Sequence, residues 1–119
     1  MLLIAGGIGI TPVRALLQRL RGDVQVLYRV VSEPEIIFRD ELDELARASG
    51  AGLRYVVGDH ATDEGRDHLS PAHLRELVPD IAERDVYVCG PPALIDIVTR
   101  HVREAGVKRS HIHAERFAL

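Results

Sequence analysis

Two short stretches of this 119-residue chain combine residue types that can do chemistry once a fold brings them together. The first is Gly6-Gly7-Ile8-Gly9-Ile10-Thr11-Pro12, directly after the apolar run Leu2-Leu3-Ile4-Ala5. Glycines at such a turn let the backbone approach a phosphate without a Cβ in the way. The first amides of a following helix then point at the phosphate oxygens. Thr11 is expected to cap that helix, with Pro12 in its first turn, and to offer a hydroxyl to a ribose or phosphate. Packing alone also accounts for a tight glycine turn. Its place between a buried strand and a capped helix favours phosphate.

The second stretch is Cys89-Gly90-Pro91-Pro92, after the apolar Val86-Tyr87-Val88. In an open parallel sheet, ligands lie beyond the carboxyl ends of the strands, where the strand order reverses. Strands leading into the two turns would flank that point. Cys89 by itself is more often a small buried hydrophobe than a reactive group. A third segment, His113-Ala114-Glu115-Arg116-Phe117, reads in isolation as a solvated Glu115 and a core Phe117. The six histidines suggest no metal site: His111 and His113 share a strand face, but His68 and His73 lack helical i,i+4 spacing. No HExxH or paired CxxC occurs. A Cys–His hydrolase would need a base beside Cys89, and the spacing provides none.

Short apolar runs alternate with longer amphipathic stretches, the pattern of a parallel sheet covered by helices on both faces. Strands are expected at 2–5, 24–31, 53–57, 86–89 and 111–117. Val13, Leu16, Leu17 and Leu20 recur at helical spacing up to Gly22. A second helix runs from after Pro34 to about Ala48, with Phe38, Leu42, Leu45 and Ala46 inward. Residues 58–67 read as a polar surface loop, and Ser70-Pro71 as a cap and helix start. Pro79-Asp80 opens one further turn. Leu94, Ile95, Ile97, Val98 and Val102 mark the last helix, which Gly106 ends. The fold class is α/β: one domain over 1–119, built on a doubly wound five-stranded parallel sheet.

Apolar residues make up 46% and charged residues 28%, ordinary for a globular chain. A formal net charge of -3 without a basic stripe argues against nucleic acid. No apolar run reaches membrane-spanning length, so no membrane contact is expected of this domain. The single Cys89 fits a reducing compartment, hence a cytoplasmic location. The first apolar run begins at residue 1 with no lead-in, as an internal or artificial start would.

Gly7-x-Gly9 with Pro12 resembles the dinucleotide fingerprint, proline replacing its third glycine. Together, Gly-Gly-x-Gly-x-Thr-Pro, Cys-Gly-Pro-Pro and the terminal Glu-x-Phe resemble the nicotinamide-binding domain of the ferredoxin–NADP reductase superfamily. The resemblance spans essentially the whole chain, including Leu69-Ser70-Pro71. It is strongest to bacterial oxidoreductases in which this domain follows a flavin-binding β-barrel, some of them attached to a ferric-reductase-like membrane domain.

The resemblance implies a sheet order of 3-2-1-4-5. It implies NADH or NADPH along the strand ends, with the pyrophosphate against Gly7 to Thr11. It further implies hydride transfer to an FAD or FMN held by a missing flavin-binding barrel or a partner subunit, and onward passage to a downstream electron acceptor. Cys89 and Glu115 would line the hydride-transfer site, and Phe117, the third catalytic candidate, would cover a flavin face. Gly6, Gly7, Ile8, Gly9, Ile10, Thr11, Pro12, Arg29, Ser32, Gly58, Asp59, Cys89, Gly90, Pro91 and Pro92 would hold the dinucleotide. Val31 stands where many members have an arginine, and Gly58-Asp59-His60 replaces a glycine-arginine pair. Asp59 would repel a 2′-phosphate, which leans the reading to NADH. Arg29, His60 or Arg66 would be the alternative sources of positive charge. A non-catalytic dinucleotide-sensing or scaffold module with the same fold is the competing reading.

Overall fold

The computed structural model describes residues 1–59 and 61–116. Five strands, β1 (Leu2–Gly6), β2 (Gln25–Val30), β3 (Gly52–Val57), β4 (Val86–Gly90) and β5 (Ile112–Arg116), form one parallel sheet. Their order is β3-β2-β1-β4-β5, as the resemblance implies. The central strand β1 is buried along its whole length, as expected of a strand packed on both faces. Side chains alternate between two cores. Leu3, Ala5, Val26, Tyr28 and Cys89 pack with Ile10, Val13 and Leu17 of α1 (Ile10–Leu17) and Leu42 of α2 (Arg39–Ser49). Leu2, Ile4, Leu27 and Val88 pack with Leu74 of α4 (Pro71–Leu77) and Ile95, Val98 and Val102 of α5 (Pro92–Glu104). The winding is therefore double.

At the amino ends of the strands, buried Arg84 ties distant parts of the chain together. It contacts Asp80 at 2.9 Å and Asp23 at 2.8 Å, and Nη1 donates to the Met1 carbonyl at 3.2 Å. At the carboxyl ends, Arg29 and His68 bond to carbonyls of β2 and β3, and a groove opens beside them.

Four local expectations are corrected. Thr11 does not cap α1: a 3-10 turn over Gly7–Gly9 runs straight into the helix, which starts at Ile10, so Thr11 lies inside it and is exposed. Phe38 is not on the inner face of α2. It is 37% exposed at the helix N-cap with φ 59, under the guanidinium of Arg14. The inner face is Leu42 and Ala46, with Leu45 partly buried against the same core. The stretch 58–67 is not wholly loop, because it contains the short helix α3 (Asp63–Arg66). Thr62 caps it by accepting from the Gly65 amide at 3.0 Å. The second strand stops at Val30, leaving Val31 48% exposed at its end. Ser70 does cap α4, accepting from the His73 amide at 3.2 Å.

Candidate functional site

The two glycine turns meet where the strand order reverses. β1 pairs with β2 on one side and β4 on the other, and Ala5 faces Cys89 across the ladder. The approach is close: a Cβ added at Gly9 would lie 2.2 Å from the Cys89 carbonyl oxygen and 2.8 Å from the Gly90 Cα. Gly7, at φ 56, adopts the left-handed conformation that favours glycine. The Ile10 amide is already used by Gly7 and Ile8 carbonyls, and Pro12 has none. Neither of these two positions therefore offers an amide to a phosphate. Ile10 itself is a core residue.

The groove opens beside the joined turns, toward β2. A cavity of about 430 Å³ is walled by Gly6, Gly7 and Ile8 on one side and Pro91 and Leu94 on another. Arg29, Val30 and Val31 at the end of β2 close it, with Glu35 and Ile37 beyond. A second cavity of about 250 Å³ lies against Arg29, His68, Leu69, Pro91 and the first turns of α5. Glycines, a proline and aliphatic side chains with a few polar groups are what a nucleotide groove needs.

Several candidates gather here: Gly6, Gly7, Ile8, Arg29 and Pro91 line the groove, while Gly9 and Gly90 form the contact behind it. Others stand apart. Ser32 is turned to Glu35, its amide donating to the carboxylate at 2.8 Å, and Glu35 rather than Ser32 reaches the groove wall. Asp59 is exposed, with Oδ1 accepting from the Ala61 amide at 2.9 Å. Gly58, Thr11, Pro12 and Pro92 are not among the lining residues of either cavity. Phe117 and His60 lie outside the described residues.

Cys89 is 5% exposed and faces Glu115 across the β4–β5 ladder. Burial, and then the Glu115 charge, push its thiol up from the ordinary value, so it keeps its proton at neutral pH. Arg29 is pulled down by burial while Asp59 and Glu35 act the other way. An arginine stays charged nonetheless.

Glu35, Ile37 and Leu94 were missed by the motif reading. Only Glu35 carried a local signal, as the last residue of the capping-box pattern Ser32-Glu-Pro-Glu35. His68 also lines the second cavity, and His73 packs against His68 with ring centroids 5.4 Å apart. Leu69, buried at φ 61, donates to His73 Nδ1 at 2.9 Å, and its carbonyl is 3.0 Å from His101 Nδ1. His68 Nε2 reaches the Val57 carbonyl at 3.0 Å. Among the described residues, no three His, Cys, Asp or Glu side chains form a metal-binding group. Nor is any described helix long and apolar enough to cross a membrane.

Because His73 Nδ1 accepts a hydrogen bond, the ring is held unprotonated there. Burial, and then His68, lower its pKa from 6.5. Its contribution to stability is therefore present above 6.5 and lost as the pH falls through the lower folded value. Urea midpoints measured from pH 7.5 to 5 should fall, and His73→Gln should flatten that slope. An unchanged slope in the variant would remove His73 as its source.

Comparison with known proteins agrees with the geometry. The family model for the oxidoreductase NAD-binding domain matches residues 3–100. Ferredoxin–NADP reductase B of Sorangium cellulosum is 34% identical over 131 residues, covering 98% of this chain and 53% of that protein. The glycine betaine monooxygenase reductase subunit of Chromohalobacter salexigens is 27% identical, covering 98% of this chain and 35% of that protein. Among solved structures, the flavohem-like FAD/NAD-binding domain of a Vibrio cholerae nitric oxide dioxygenase superposes with TM-score 0.76 at 27% identity. That superposition covers 98% of this chain and 50% of the other. The chain thus spans from about a third to about half of the length of these relatives. A glycine turn locked against a Cys-Gly-Pro-Pro turn beside an open groove, and a family match over most of the sequence, lead to one assignment: this chain is an NAD-binding domain of the ferredoxin–NADP reductase superfamily.

Proposed function

We propose that this domain binds NADH or NADPH in the groove at the strand ends and presents it for hydride transfer to a flavin, FAD or FMN. The flavin is held by a domain or subunit outside these residues, and a downstream electron acceptor completes the reductase. The observation that carries this reading is the contact of Gly9 with Cys89 and Gly90, which sets a phosphate-accepting turn beside the residues at the β4 end. When bound, the flavin supplies the hydride acceptor and the route to one-electron chemistry.

The chain's own task is positioning. The Gly7–Gly9 turn holds the diphosphate, Val31, Ile37, Pro91 and Leu94 exclude water along the groove, and Cys89 and Glu115 mark the hydride-transfer end. Glu35 on the groove wall and Asp59 nearby suit the free 2′-hydroxyl of NADH better than a dianionic 2′-phosphate. Relatives named as a monooxygenase reductase subunit and as a ferredoxin–NADP reductase support an electron-transfer chain of this kind.

The test is to combine the chain with a flavin-loaded partner domain and follow flavin absorbance on adding NADH. Bleaching that depends on this chain is expected. Tight NADH binding with no bleaching by any cognate flavin domain would overturn the reductase reading.

A further inference from the structure

Arg29 is a buried cation that makes no salt bridge with a described residue, although Asp59 and Glu35 act on it from a distance. It leaves β2 on the α4–α5 side of the sheet and is 4% exposed. Its Nη1 donates to the carbonyls of Val30 and, at 3.3 Å, Val56. Among the described residues, Nε and Nη2 have no hydrogen-bond partner. Those two atoms form one edge of the planar guanidinium, the edge whose parallel N–H bonds match two oxygens of a single oxyanion. Native proteins leave few buried donors unsatisfied, and buried charges are normally paired. Arg84, the other buried arginine, follows that rule with Asp23 and Asp80.

The missing partner has room to arrive. Arg29 borders both the 430 Å³ groove and the 250 Å³ cavity, and in the β1–β2 ladder it sits opposite Gly6. We propose that the Nε–Nη2 edge of Arg29 is a phosphate-binding subsite that takes oxygens of the bound nucleotide's 5′-diphosphate. This rests on the dinucleotide reading above and names the side chain that completes it.

Two sources of phosphate exist on a nicotinamide dinucleotide, the diphosphate bridge and a 2′-monoester. Glu35 on the groove wall and Asp59 both act electrostatically on Arg29, so the locality is already anionic. A monoester carries close to two negative charges at neutral pH, whereas each phosphorus of a diphosphate bridge carries one. The bridge is the better match. Its oxygens would span from the Gly7–Gly9 turn toward Arg29, which meets their charge.

The experiment titrates the 119-residue chain with adenosine, ADP presented as ADP-ribose so that both its phosphorus atoms are bridging, and 2′-AMP, read by NMR chemical shifts so that weak affinities are measurable. The wild type should prefer ADP to adenosine by about tenfold or more, the size of charge-assisted hydrogen bonding. Arg29→Lys keeps a donor for the strand carbonyls but loses the paired edge. Arg29→Met loses both the donor and the charge. Both should lower the ADP preference by about tenfold while adenosine affinity stays within about twofold, and 2′-AMP should gain nothing over adenosine. The adenosine arm and the melting curve report whether each variant is folded.

A wild-type ADP preference in Arg29→Lys overturns the subsite. A 2′-AMP gain that disappears in Arg29→Lys overturns the diphosphate assignment. Absence of ADP binding by the wild type overturns the dinucleotide reading along with this one.

Discussion

A Gly9→Ala variant should lose at least about 3 kcal/mol of stability, the upper range for overpacking, and its dinucleotide binding with it. Backbone strain is not the cause, because Gly9 has φ -61. The cause is contact. The added methyl would lie 2.2 Å from the Cys89 carbonyl oxygen and 2.5 Å from its carbon, both backbone atoms. Side chains can rotate away from a clash of this size, but Cys89 sits in β4, which is paired to β1 on one side and β5 on the other. Relief would require moving the glycine turn off the sheet, and that turn is the proposed seat of the diphosphate. Gly22→Ala is the control: nothing lies within 4 Å of its Cβ, but φ is 100. It should cost about 1–2 kcal/mol, from the left-handed backbone alone. Urea unfolding and NADH titration of both variants decide the matter. A Gly9→Ala chain with the wild-type urea midpoint would mean that the two turns do not touch.

The second large effect is expected on the chemical step. Cys89→Ala, placed in a flavin-containing reductase, should slow hydride transfer by about 10²-fold while NADH affinity stays within about twofold. The thiol is 5% exposed and protonated at neutral pH, so it does not act as a nucleophile. Its proposed work is steric: the sulfur fills space against α1 behind the point where β4 turns into Gly90 and Pro91, and so fixes where the nicotinamide ring stops. Hydride transfer depends steeply on that position, whereas affinity depends mainly on the nucleotide's phosphates and ribose. Rapid-mixing measurement of flavin reduction at saturating NADH separates the two quantities. An unchanged rate with binding intact would reduce Cys89 to a core residue.

Much of this was legible in local patterns. β1 is apolar through Leu2, Leu3, Ile4 and Ala5 because both its faces are covered, and continuous burial needs no periodicity to recognise. Ser70-Pro71 announced α4, since an N-cap hydroxyl followed by proline serves a helix start wherever it occurs. The glycines of both turns were also visible, as backbone close approach admits no other residue. Thr11 misled because a cap is a matter of one turn's register: the Gly7–Gly9 3-10 turn starts the helical path earlier than the threonine suggests. Phe38 misled for a similar reason. Its spacing fits the inner face, but as the left-handed N-cap residue it points outward to Arg14.

Sequence by itself determined the elements, their alternation and the two glycine turns, because each follows from the preferences of neighbouring residues. Tertiary structure alone decided that Gly9 touches Cys89, that Glu35 and Leu94 share a groove with Gly7, and that Arg29 is buried with one edge unpaired. Those facts join residues far apart along the chain, and only the parallel pairing of β2, β1 and β4 brings them to one end of the sheet.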